Sequence, residues 1–97
     1  MGDILVDVWL YGDLAGYGGA ANQGSFANIK VRLLEASTIR ELLAQLHIQT
    51  EERGITFING NITAKPNIQP DLDEPLNNND RVAFFNRRGR WTFQSMI

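Results

Sequence analysis

Apolar and polar positions alternate with a period of two in the first stretch of the chain. Ile4, Val6, Val8 and Leu10 share one face of residues 4–11, and Leu5, Asp7, Trp9 and Tyr11 share the other. That is the pattern of a strand with one face in a core. The second face is more apolar than a solvent face needs to be. Alternation returns over residues 28–35, where Ile29, Val31 and Leu33 oppose Lys30 and Arg32. Residues 12–27, with Gly12, Gly16, Gly18, Gly19 and Gly24, read as a glycine-rich loop between the two strands. A connection this long is unusual for a hairpin, and such loops are often functional or mobile.

The period then changes. Ile39, Leu42, Leu43 and Leu46 fall at i, i+3, i+4 and i+7, one apolar stripe of an amphipathic helix. Thr38 and Glu41 precede and open it with the spacing of a capping box. Residues 55–58 read as a short strand, Asn59 and Gly60 as a two-residue hairpin turn, and residues 61–63 as the return strand. Residues 65–76 hold Pro66, Pro70 and Pro75 and are irregular, while Asn77, Asn78, Asn79 and Asp80 form a turn. Residues 81–85 are the last clear strand, and residues 86–97 form a C-terminal tail. One helix can cover one face of a four- or five-stranded sheet, which predicts a single two-layer α+β domain over residues 1–97.

Composition narrows the chemistry. The chain has no cysteine, which removes disulfides, iron–sulfur and zinc-ribbon sites and any thiol nucleophile. Its single histidine, His47, has no acid or nucleophile near it in sequence and reads as a capping or surface residue at the helix end. No catalytic residue, metal site or cofactor is expected, and the chain is expected not to be an enzyme. A net charge of −2 over 97 residues argues against a general nucleic-acid binder. No apolar run approaches the ~20 residues that cross a bilayer, and the acidic start at Asp3 and Asp7 is unlike a secretory signal. The expected setting is cytoplasmic, away from membranes.

Three stretches resemble the MoaD/ThiS sulfur-carrier family of ubiquitin-like β-grasp proteins. Thr38-Ile39-Arg40-Glu41-Leu42-Leu43 is similar to that family's helix start, Phe57-Ile58-Asn59-Gly60 to its hairpin, and Asp80-Arg81-Val82-Ala83-Phe84-Phe85 to its final strand. The resemblance implies a mixed sheet with the first and last strands parallel at its centre. Val82 and Phe84 would then lie under the helix, with Ala83 and Phe85 on the outer face. It also implies a non-enzymatic protein of molybdenum- or tungsten-cofactor assembly or another sulfur-transfer pathway. Its partners would be an E1-like adenylating enzyme or a cofactor-synthase large subunit. Family carriers end in Gly-Gly, whose carboxylate becomes a thiocarboxylate. Here those two positions fall on Arg90 and Trp91, beside a lone Gly89. The chain therefore reads as a member diverged from carrier activity, with an active carrier after C-terminal processing as the alternative.

The candidate partner-binding residues are Trp9, Tyr11 and Phe85 on the outer sheet face, with Arg87, Arg88, Gly89 and Trp91 following the last strand. Aromatics on a face that no helix covers mark an interaction patch or are covered by the tail or by a second copy of the chain. A structural homo-oligomer is therefore the reading from a different class. Arg90, Trp91 and Phe93 also have the interleaving that stacks on single strands, but the acidic whole chain disfavours that reading. Gly16-Tyr17-Gly18-Gly19 leads into a strand without a following Lys-Ser/Thr pair, so it reads as a connector and not as a phosphate cradle. Asp71, Asp73, Glu74 and Asp80 lack calcium-loop spacing and read as a solvated acidic loop.

Overall fold

The structure, a computed structural model, describes residues 2–87. Five strands form one mixed sheet: β1 (Asp3–Tyr11), β2 (Phe26–Leu34), β3 (Arg53–Ile58), β4 (Asn61–Ala64) and β5 (Arg81–Asn86). One helix, α1 (Ile39–Leu46), packs on it. The strand order is β2-β1-β5-β3-β4. β1 and β5 run parallel at the centre, with Val8 opposite Val82 and Tyr11 opposite Phe85, and the other neighbours are antiparallel.

The alternation in β1 decides which face is buried. Val6, Val8 and Leu10 are wholly buried with Val82 and Phe84 of β5, under Ile39, Leu42 and Leu43 of α1. α1 begins at the capping box, where the Glu41 amide donates to Thr38 Oγ1 at 3.4 Å and the Thr38 amide to Glu41 Oε1 at 2.8 Å. It ends at His47, whose backbone is left-handed (φ 64°) and whose amide donates to the Ala44 carbonyl. His47 thus caps with its backbone, and its side chain is exposed. Asn59 and Gly60 both take positive φ, as a two-residue hairpin requires.

Several boundaries differ from the sequence reading. Residues 12–27 are not a continuous loop: Gly12–Ala21 is 3₁₀ helix kinked at Gly19, and β2 begins at Phe26. Its order comes from burial, since Leu14 and Ala15 close one end of the core. Gly18 lies so near the sheet that a Cβ there would sit 2.4 Å from Ala27 Cβ. β3 starts at Arg53, and β5 continues through Asn86, which the reading placed in the tail. Inside the irregular stretch after β4, Pro70–Asp73 forms a 3₁₀ turn that contributes Leu72 to the core edge.

Candidate functional site

The outer face of the sheet is assembled from the positions that alternate with the core. β1 supplies Leu5, Asp7, Trp9 and Tyr11, which pair across to Arg32, Lys30, Asn28 and Phe26 of β2. β5 supplies Ala83 and Phe85 beside Trp9 and Tyr11, and Phe57 of β3 lies opposite Ala83. The helix-side elements contribute Leu14, Ala15, Leu42 and Leu72 to the opposite side.

Five rings meet at one end of this face. Tyr11 and Phe85 are stacked with centroids 4.6 Å apart and planes within 9°. Trp9 stacks on Phe26 at 5.9 Å and lies 6.3 Å from Tyr11. Phe57 meets Phe85 edge-on at 5.8 Å. Trp9, Tyr11 and Phe85 are thus brought together as the sequence suggested, and each is half-buried. Phe26 and Phe57 complete the cluster. The signal for Phe26 was available, since extending the alternation of Ile29 backward puts Ala27 inward and Phe26 outward. Phe57 needed the β3–β5 register, which local pattern does not carry.

The other end of the face is polar and turns on Asp7. Its carboxylate accepts from Asn28 Nδ2 at 2.6 Å, Lys30 Nζ at 3.1 Å and Trp9 Nε1 at 3.3 Å, and Arg81 Nε lies 3.5 Å away. Burial works against its charge, but the hydrogen bonds from Asn28, Lys30 and Trp9 outweigh it and hold the carboxyl below its ordinary pKa. The Trp9 indole is therefore fixed at both ends, by rings on one side and by Asp7 on the other.

Arg87 follows β5 and donates to Asn67 Oδ1 at 2.9 Å. With Asp13, Leu14, Glu51, Glu52 and Asn86 it lines an open groove of about 590 Å³ at the sheet end. Glu52 of that groove accepts from the Tyr17 hydroxyl, with Tyr17 Oη and Glu52 Oε1 2.5 Å apart. That bond, with a second from the Gln49 amide, lowers the Glu52 pKa, and the same carboxylate raises that of Tyr17. Arg88, Gly89 and Trp91 lie outside the described residues.

The acidic stretch does not stay together in solvent. Asp71 is buried and forms a bidentate pair with Arg53, itself wholly buried, with Nη1–Oδ2 at 2.9 Å and Nη2–Oδ1 at 2.5 Å. Arg53 also donates to Thr56 Oγ1 at 2.9 Å and Gln69 Oε1 at 3.1 Å, and Thr63 Oγ1 donates to Asp71 at 2.9 Å. The solvated-loop reading fails for Asp71 because a buried guanidinium requires a carboxylate partner. Asp73 instead pairs with Arg40 at 3.3 Å, and Asp80 accepts from the Asn59 side chain. Among the described residues no cluster of three His, Cys, Asp or Glu side chains is placed to hold a metal. No helix among them is long and apolar enough to cross a membrane. Compared with known proteins, the chain matches no family model, no curated protein and no solved structure.

Proposed function

We propose that this chain is a β-grasp protein of the MoaD/ThiS-like class that works by binding a partner protein, without catalysis of its own. The strand order, the parallel central pair β1 and β5, and the capped helix after the first hairpin support the fold assignment. The observation that carries the function is the five-ring cluster on the sheet face opposite α1. Aromatics are enriched where proteins meet, because large rigid rings give contact area at little entropic cost. Tyr11 and Phe85 turn their faces to each other, which favours a protein surface over nucleobases that need a free ring face. Arg87 follows β5 two residues after Phe85 and adds a positive charge beside the cluster, and Arg88 and Arg90 follow it in the sequence. The partner is an E1-like adenylating enzyme or a cofactor-synthase large subunit, and the pathway is cofactor assembly or sulfur transfer.

Titration calorimetry of the full chain against these two proteins from the same host tests this reading. One of them binds, and Trp9→Glu weakens it by about tenfold or more. Binding of neither overturns the reading, and so does equal binding by the Trp9→Glu chain. Sedimentation of the chain alone identifies the oligomer, which a dimer dispersed by Trp9→Glu would establish. Intact mass from the native host identifies an active carrier, because replacement of a carboxylate oxygen by sulfur requires a processed terminus at Gly89.

A further inference from the structure

The Asn59-Gly60 turn carries a reactive pair whose reactivity the fold controls. The backbone nitrogen of a residue following asparagine can attack the side-chain amide carbon. A new C–N bond closes a succinimide, the Cγ–Nδ2 bond breaks, and ammonia leaves. Water then opens the ring at either carbonyl to give aspartate or isoaspartate. Glycine in second place makes the attack easiest, because no Cβ stands in its way. Both residues are exposed, so neither water nor base is excluded.

In the folded chain the Asn59 amide is engaged at both ends. Its Nδ2 donates to Asp80 Oδ1 at 2.9 Å, and its Oδ1 accepts from the Arg81 amide at 2.9 Å. The Asn59 backbone amide donates to the Arg81 carbonyl at 2.8 Å, so the residue is clasped to the entrance of β5 three times. Asp80 is fixed in turn, since its Oδ2 accepts from the Asn77 amide at 2.8 Å. Cγ can reach the Gly60 nitrogen only after both side-chain bonds let go.

We propose that Asn59 is a gated deamidation site, held unreactive by Asp80 and Arg81 and opened when the 77–81 turn separates from the β3–β4 hairpin. The product is not neutral to the fold. An aspartate at position 59 still accepts from the Arg81 amide, but its second oxygen faces the Asp80 carboxylate and the clasp becomes a repulsion. The reaction would therefore loosen the hairpin beside Phe57 and Arg81 without any enzyme.

The test is peptide mapping with isoaspartate detection on the full chain at mildly alkaline pH. A free peptide of residues 57–62 serves as the unprotected standard. The wild-type chain reacts far more slowly than the peptide. Asp80→Ala speeds it by about tenfold, the scale of one charged hydrogen bond. Asp80→Asn, which keeps one acceptor for Asn59 Nδ2 but loses the second that holds the Asn77 amide, falls between wild type and Asp80→Ala. Leu43→Ala weakens the core away from the turn and separates local opening from global unfolding; it leaves the rate low. A wild-type rate equal to the peptide's overturns the proposal. So does an Asp80→Ala rate no faster than wild type, or acceleration by Leu43→Ala equal to that by Asp80→Ala.

Discussion

The two faces of the sheet are built from alternate residues of the same strands, and they solve different problems. On the helix side β1 presents Ile4, Val6, Val8 and Leu10, all nearly or wholly buried against aliphatic neighbours. On the outer side the same strand presents Leu5, Asp7, Trp9 and Tyr11, which are half-buried or exposed and touch rings and charges. Branched aliphatics fill a closed space at high density. Rings and paired charges hold their shape at an open surface by contacting one another. The difference teaches that apolarity on the second face is not excess core: its rings pack on one another at the surface, and the proposed partner binding rests on that patch.

The largest effect is expected where the helix side breaks its own rule. Arg53 and Asp71 are buried charges at the edge of an aliphatic core, each tolerated because the other neutralises it and Thr56, Gln69 and Thr63 supply further hydrogen bonds. Asp71→Ala leaves a buried guanidinium with only the neutral partners Thr56, Gln69 and the Phe84 ring, at a cost of about 4 kcal/mol in urea unfolding. Replacing both, Arg53→Met with Asp71→Leu, recovers most of that loss, because the desolvation of the charges disappears with them. A double variant as unstable as the single one would show that the network does more than neutralise itself.

Next in size is the direct contrast between faces. Leu42→Ala empties wholly buried space under α1 and costs about 3 kcal/mol. Tyr11→Leu keeps apolar bulk on the outer face but removes the stack on Phe85, and costs about 1 kcal/mol. Partner binding reverses the order: it falls with Tyr11→Leu and survives Leu42→Ala under conditions where that chain is folded. Denaturant unfolding and titration calorimetry on the same two proteins decide it. If stability and binding fall in parallel for both, the faces are not functionally distinct.

How much of this was legible depended on how far the determining contact lay along the chain. The β1 alternation, the 39–46 stripe and the Thr38–Glu41 cap are local, and α1 stands where the spacing put it. Residues 12–27 read as loop because glycines dominate their composition, yet 26–27 belong to β2 and 12–21 are 3₁₀ helix. What orders them is burial of Leu14 and Ala15 and the close approach of Gly18 to Ala27, a contact between elements. Asp71 looked solvated because its neighbours in sequence are acidic. Its partner lies eighteen residues earlier, at a strand start that the apolar pattern did not include. Of the outer face, Trp9, Tyr11 and Phe85 were readable from the alternation of β1 and β5. Phe57 came only with the antiparallel register of β3 on β5.

The smallest effects expected are electrostatic, and their pH windows distinguish the outer face from the groove. Asp7 has a folded pKa below its ordinary 3.8, because hydrogen bonds from Asn28, Lys30 and Trp9 overcome the opposing effect of burial. A depressed carboxyl stabilises the fold fully above 3.8, and that contribution disappears as pH falls through the folded pKa. The Tyr17–Glu52 bond has two limits. Glu52 is depressed below 4.5, so its share is lost toward acid, whereas Tyr17 is raised above 10.0, so its share is lost as pH rises through the folded value. Thermal unfolding from acid to alkaline pH reads both. Asp7→Asn lowers Tm by a constant amount above about pH 4 and converges on wild type only in acid. Tyr17→Phe gives a smaller gap, because the pair is exposed and screened, and that gap closes toward both extremes. A Tyr17→Phe gap that persisted above the tyrosine range would mean that the ring holds the 3₁₀ segment by packing. The hydroxyl bond to Glu52 would then be incidental to the shape of the groove.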